Sequence, residues 1–195
     1  MQRQMTFSRY RAMDVGFFTV LLALCEAMIV LAATRWFPGE PYTLSLTPAV
    51  TAIVMVRWGA AAAFPAAVGS LAFCLFSGAT TAQILIYLAG GMAALLLLPA
   101  VRRGGWQRLH GNVLLALLYG LLCALLMQSG RFLIALLLGT PPGVCAGFIT
   151  TDVLSALFSV LLVWICRRLD GMLEEQKHYL IRIQKEMKEA GGINA

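Results

Sequence analysis

Residues 12–34, AMDVGFFTVLLALCEAMIVLAAT, constrain this chain more than any other stretch. The run is apolar almost throughout and long enough to cross a bilayer's hydrocarbon core as a helix. It carries an acidic residue, Glu26, near its middle. A carboxyl group at that depth is costly and needs a partner or a water-lined space. At about 100° per residue, Ala12, Gly16, Ala23, Ala27, Val30 and Thr34 share one narrow face, a small-residue stripe that a second helix can approach closely. Glu26 lies to one side of that stripe. One face is therefore a candidate docking surface, and its neighbouring edge a candidate lining for a polar interior.

The remaining chain follows the same chemistry. It is 60% hydrophobic and 12% charged, with a mean hydropathy of +0.81, which points to an all-α integral membrane protein. Further apolar segments cover residues 43–56, interrupted by Pro48, then 60–76, 81–101, 111–138 and 144–166. With the first run these predict six transmembrane helices, flanked by an N-terminal segment 1–11 and a tail 167–195. The first run exceeds the h-region of a signal peptide, so cleavage is not expected. Arginines fix the direction. Arg3, Arg9, Arg11, Arg57, Arg102, Arg103, Arg108, Arg167 and Arg168 fall on one side of such a bundle, and Arg35 and Arg131 on the other. The positive-inside rule makes the first side cytoplasmic, with both termini there, in a multi-pass protein of the cell membrane.

Polar residues within the spans define the candidate site. Glu26 and Asp152 fall near the midplane, and Arg131 near the outer boundary. Gln83 and Tyr87 are i, i+4 neighbours on the fourth helix, followed by Gly90 and Gly91. Gln128 and Arg131 are i, i+3 neighbours on the fifth, and Thr151, Asp152, Ser155 and Ser159 share a face of the sixth. Together with Arg35 and Trp36 after the first helix, they converge on the outer half and suggest a substrate cavity open to the outside. The arginines would suit an anionic group, and Tyr87 and Trp36 a ring. The alternative for each is packing: hydroxyls bonding backbone, acids paired within the bundle, arginines and Trp36 at the interface.

Other chemistry is not encoded. Cys25, Cys74, Cys123, Cys145 and Cys166 stand far apart with no CxxC and read as packing residues. His110 and His178 both lie in predicted cytoplasmic segments, and neither HExxH, GxSxG nor a phosphate-binding loop occurs. We therefore expect no enzyme, no metal or other cofactor, and no ATP hydrolysis by this chain itself; nor is a nucleic-acid partner expected. In the tail, Leu169, Leu173, Gln176, Leu180, Ile183 and Met187 are spaced as a heptad stripe among charged residues. This predicts a cytoplasmic amphipathic helix continuing the sixth span and docking on a partner or on the protein's own loops, with dimerisation or a solvated helix as the alternatives.

The six-helix plan, the small-residue stripe with Ala23 and Ala27 as AxxxA, Pro48 before an apolar run and the third helix AAAAFPAAVGS resemble the substrate-binding S component of energy-coupling-factor (ECF) vitamin transporters. That resemblance implies uptake of a small vitamin-like molecule from outside and a pocket gated by the loop after the first helix, here 35–42. It also implies a transmembrane coupling subunit, driven by two ATPase subunits, docking on Ala12, Gly16, Ala23 and Ala27. The small multi-spanning morphogenesis proteins of bacterial membranes are a second resemblance. For these the tail would be a scaffold contact.

Overall fold

The computed structural model describes residues 6–39 and 43–192. Among these residues every regular element is helical. The principal ones are α1 (Phe7–Trp36), α2 (Thr47–Trp58), α3 (Ala63–Phe76), α4 (Thr81–Gly91), α5 (Val113–Leu137), α6 (Pro142–Thr150), α7 (Val153–Arg168) and α8 (Gln176–Gly192). Five runs are long and apolar enough to cross a membrane: Phe7–Trp36, Thr47–Phe76, Thr81–Arg103, Val113–Leu137 and Pro142–Arg168. Large apolar side chains such as Phe17, Leu24, Met28, Leu114 and Leu157 lie exposed on the outside of the bundle, a surface compatible with a multi-pass membrane protein.

The run Thr47–Phe76 is not straight. Gly59 adopts φ +62°, a conformation that L side chains avoid, and the chain turns there through a short 3-10 segment, Gly59–Ala62. A straight helix would separate residues 47 and 69 by roughly 33 Å, yet a Cβ added at Gly69 would collide with the side chains of Thr47 and Leu22. α2 and α3 therefore form a hairpin. Residues 43–46 are not helical, so the helix begins four residues later than the apolar pattern predicts. Pro48 does not interrupt it. It occupies the first turn, where its missing N–H removes a donor that has no partner within the helix anyway.

α2 is held at both ends by acids of α1. Glu26 meets its first turn. At its last turn Asp14 makes a bidentate ion pair with Arg57, at 2.9 to 3.0 Å, and accepts from Trp58 Nε1. Asp14 and Glu26 are twelve residues apart, the length of α2 itself, so α1 measures out its antiparallel neighbour. The buried stripe of α1, Val15, Phe18, Leu22, Glu26 and Val30, faces this hairpin.

α4 and α5 approach until backbone meets backbone. A Cβ at Gly130 would lie 2.7 Å from Ala93 Cβ, and one at Gly90 would strike the backbone of Arg131. Gly130→Val overfills this contact and is expected to cost about 1–3 kcal/mol. It should lower the Tm of the purified protein, whereas Ser129→Val, on the exposed side of the same turn, should leave it within a degree or two.

At the arginine-rich end, the heptad stripe does not form one continuous helix. α7 ends at Arg168, Gly171 takes φ +68° beneath the Tyr179 ring, and α8 starts at Gln176. The intervening turn clasps the bundle. Leu173 is fully buried, Arg57 Nη1 donates to the Gly171 carbonyl at 2.7 Å, and Gln176 Nε2 donates to the same oxygen at 2.7 Å. Beyond the clasp α8 exposes Ile181 and Met187.

Candidate functional site

Two buried polar centres lie in the bundle, joined by the extended segment 43–46. The first is Glu26, fully buried on α1. Its Oε1 accepts from Ser45 Oγ (2.7 Å), Leu46 N (2.8 Å), Thr47 N (3.0 Å) and Thr47 Oγ1 (2.9 Å). Leu46 supplies no side-chain cap. A carboxylate from another helix does so instead, satisfying orphan N–H groups where the helix dipole favours negative charge.

The second centre is the ion pair of Arg131 on α5 with Asp152 between α6 and α7, at 2.9 Å, with both side chains almost wholly buried. At the α6–α7 break, Gln128 Nε2 donates to the Asp152 carbonyl at 2.9 Å, an oxygen that also accepts from Ala156 N at 3.3 Å. Ser155 Oγ donates to Asp152 Oδ1, and Thr43 Oγ1 donates to the same oxygen at 3.3 Å. The Arg131 guanidinium lies 4.3 Å over the Tyr87 ring, and Tyr87 stacks on Phe73 at 5.3 Å and meets Phe148 edge-on at 5.9 Å. Gly90 lets α4 approach α5 closely enough to put that ring beneath the charge.

Segment 43–46 is stitched between the centres. Thr43 N donates to the Thr151 carbonyl at 3.0 Å, Ser45 N to Ser155 Oγ at 2.8 Å, and Leu46 N to Glu26. Non-helical backbone can cross an apolar region only where other parts of the protein satisfy it in this way. The chain of contacts Glu26, Ser45, Ser155, Asp152, Arg131 thus runs from α1 to α5.

Beside this segment, at the end away from the arginine-rich cluster, lies a cavity of about 710 Å³. The last turns of α1 (Ile29, Ala32, Ala33), the following Phe37 to Gly39, Thr43, Leu44, Phe73 and Leu154 line it. The hydroxyls of Thr34, Thr43 and Ser77 are its polar side chains, and no charged residue lines it among those described. Ala33 continues the helical face that buries Leu22 and Glu26, yet it is exposed, because the cavity undercuts the stripe there. Thr43 and Phe73 connect the cavity to the second centre, through Asp152 and Tyr87 respectively.

The structure brings Tyr87, Gln128, Arg131 and Asp152 together and links Glu26 to them through Ser45 and Ser155. It does not bring in Gln83, Arg35 or Trp36. Gln83 is exposed and closes a capping box with Thr80, its Oε1 accepting from Thr80 N at 2.7 Å. Arg35 and Trp36 are exposed at the end of α1 and do not line the cavity. Residues 40–42 of the proposed gating loop lie outside the described residues. On the α1 stripe, Ala12 and Gly16 are exposed and Ala23 and Ala27 half-buried, with nothing within 4 Å of a Cβ built on Gly16. Thr43, Ser45 and Asp14 were missed by sequence reasoning. Among the described residues no three of His, Cys, Asp and Glu gather into a metal site.

Together these features define an apolar helical bundle with a buried, hydrogen-bonded polar core beside an apolar cavity. No family model, curated protein or solved structure matches this chain.

Proposed function

We propose that the protein captures a small, largely apolar molecule in this cavity and delivers it across the cell membrane as the substrate-binding subunit of an ECF-type importer. The observation that carries the reading is the 710 Å³ cavity between the end of α1, the segment after it, α3 and α7. Its volume suits a vitamin-sized ligand. In this reading the α2–α3 hairpin supplies two of six crossings. The second crossing is extended from 43 to 46 and helical below, both termini are cytoplasmic, and the cavity faces outward. Arg131 is committed to Asp152 and does not line the cavity, so ligand recognition falls to ring contacts on Phe37 and Phe73 and to hydroxyls rather than to an anion clamp. A ligand contacting Thr43 or Phe73 would bear on the polar core, which gives occupancy a route into the bundle.

Delivery requires partners, since the sequence holds no phosphate-binding loop. Ala23 and Ala27 on the shoulder of α1 are the proposed contact for a membrane coupling subunit carrying two ATPases. Full-length tagged protein purified from its native membrane should bring down these subunits, and Ala23→Leu with Ala27→Leu should reduce the recovered ATPase at least tenfold without changing Tm. Recovery of wild-type protein without any ATPase would overturn the importer reading. One observation favours a scaffold instead: α8 leaves the clasp with Ile181 and Met187 exposed. On that reading, deleting residues 180–195 removes all copurifying partners, whereas the importer retains its ATPases.

A further inference from the structure

At the opposite end of the bundle from the ligand cavity, a second cavity of about 220 Å³ is lined by cations from three distant parts of the chain: Arg11, Arg102 and Lys177. None of the three has an ion-pair partner among the described residues, and Glu175 is the one acid in the lining. The fourth cation there, Arg57, is spent on Asp14 and the Gly171 carbonyl. The site is constructed by tertiary structure. Arg11 comes from the first turns of α1, Arg102 follows α4 and reaches over Gly59, within 3.4 Å of where a Cβ would stand, and the clasp after α7 delivers Lys177. Its wall is apolar, formed by Phe7 and Trp58, whose ring centroids lie 5.5 Å apart, with Met55 and Val101. The requirement for glycine at 59 is doubled there: φ is positive, and the space above it belongs to Arg102.

We infer that this cavity is a phosphate site. Three unpaired cations around a concave wall bind a phosphate group through charge-assisted hydrogen bonds, and the adjoining aromatic surface suits a phosphate joined to an apolar body. An anionic phospholipid of the leaflet at that end supplies both, with Trp58 beside its glycerol region; a free phosphate compound supplies only the first. Because Lys177 enters through the clasp, phosphate in the site ties the start of α8 to α1 and the segment after α4.

Native mass spectrometry of the full-length protein, from mixed micelles with equal dioleoyl phosphatidylglycerol and phosphatidylcholine, tests this. The expected result is about one retained phosphatidylglycerol, preferred at least tenfold over phosphatidylcholine. Arg11→Gln, Arg102→Gln, Lys177→Gln together should abolish the preference. Arg9→Gln, Arg103→Gln, Arg108→Gln, which removes as much charge from the same end, should keep it at an unchanged Tm. If 10 mM inorganic phosphate raises Tm in lipid-free detergent and the first triple variant alone loses that rise, while phosphatidylglycerol is not preferred, the site stands and its ligand is a soluble phosphate. Neither lipid preference nor a phosphate-dependent Tm, or equal losses in both triple variants, would overturn it.

Discussion

Arg131→Ala is expected to destabilise the purified protein by about 3–5 kcal/mol, because it leaves the Asp152 carboxylate buried without its counter-charge. For a chain of this size that is a fall in Tm of roughly ten degrees. Asp152→Ala should cost a similar amount by stranding the guanidinium, whose Nε already has no partner among the described residues. The informative comparison is Arg131→Met with Asp152→Leu. Replacing both charges by apolar side chains of similar volume removes both desolvation penalties, so the double variant should recover most of the loss. Additive losses would show that each residue acts separately and that the pair does not hold α5 to the α6–α7 break. Thermal unfolding of the four proteins in one detergent decides between the two outcomes.

The second large effect is at Glu26. Glu26→Ala removes the acceptor of two backbone N–H groups, at Leu46 and Thr47, and of two hydroxyls. The hydroxyls can turn to other acceptors, whereas the backbone groups are fixed, and each buried unsatisfied donor costs about 1–3 kcal/mol. A loss of roughly 2–6 kcal/mol follows, concentrated at the start of α2. Glu26→Gln keeps an accepting oxygen for these donors but puts an amide NH2 where Oε2 is buried with no partner among the described residues, so it should still cost about 1–3 kcal/mol. Hydrogen exchange reads this locally. In Glu26→Ala the amides of 45–50 should lose protection while those in the middle of α5 keep it; unchanged protection at 45–50 would mean that the carboxylate does not cap α2.

Legibility differs along the chain for physical reasons. Length and apolarity alone were enough to find α1 and α5, because a lipid-facing helix must be apolar over its full span. The cost of burying charge singled out Glu26, Arg131 and Asp152, and the structure joins them in one chain of contacts. Their partners were not legible. Which face of a helix meets which neighbour depends on tertiary packing, so a docking edge and a helix cap look alike at Glu26. Asp14 stands near the start of the first run, but in the sequence its partner Arg57 is indistinguishable from a charge that only sets topology. For Gln83 the signal was present: Thr80 and Gln83 have the spacing of a capping box, which marks a helix start and not a cavity wall. In the tail the heptad spacing hid Gly171, whose positive φ ends the helical course and turns Leu173 and Gln176 into a clasp. Arg131 was expected to meet an anionic ligand. Its commitment to Asp152 leaves that role unfilled, and no spacing in the sequence distinguishes a paired arginine from a free one.

If the cavity beside segment 43–46 holds a small molecule, that molecule should leave with the protein on purification. The direct measurement is mass spectrometry of compounds released by denaturing gently purified full-length protein, run beside Ala33→Trp, which fills the cavity from the exposed end of the α1 stripe. The expected result is about one equivalent of a single, largely apolar compound from the wild type, and less than about a tenth of that from Ala33→Trp at a similar Tm. No compound above the solvent blank in the wild type, or equal amounts from both proteins, would contradict it.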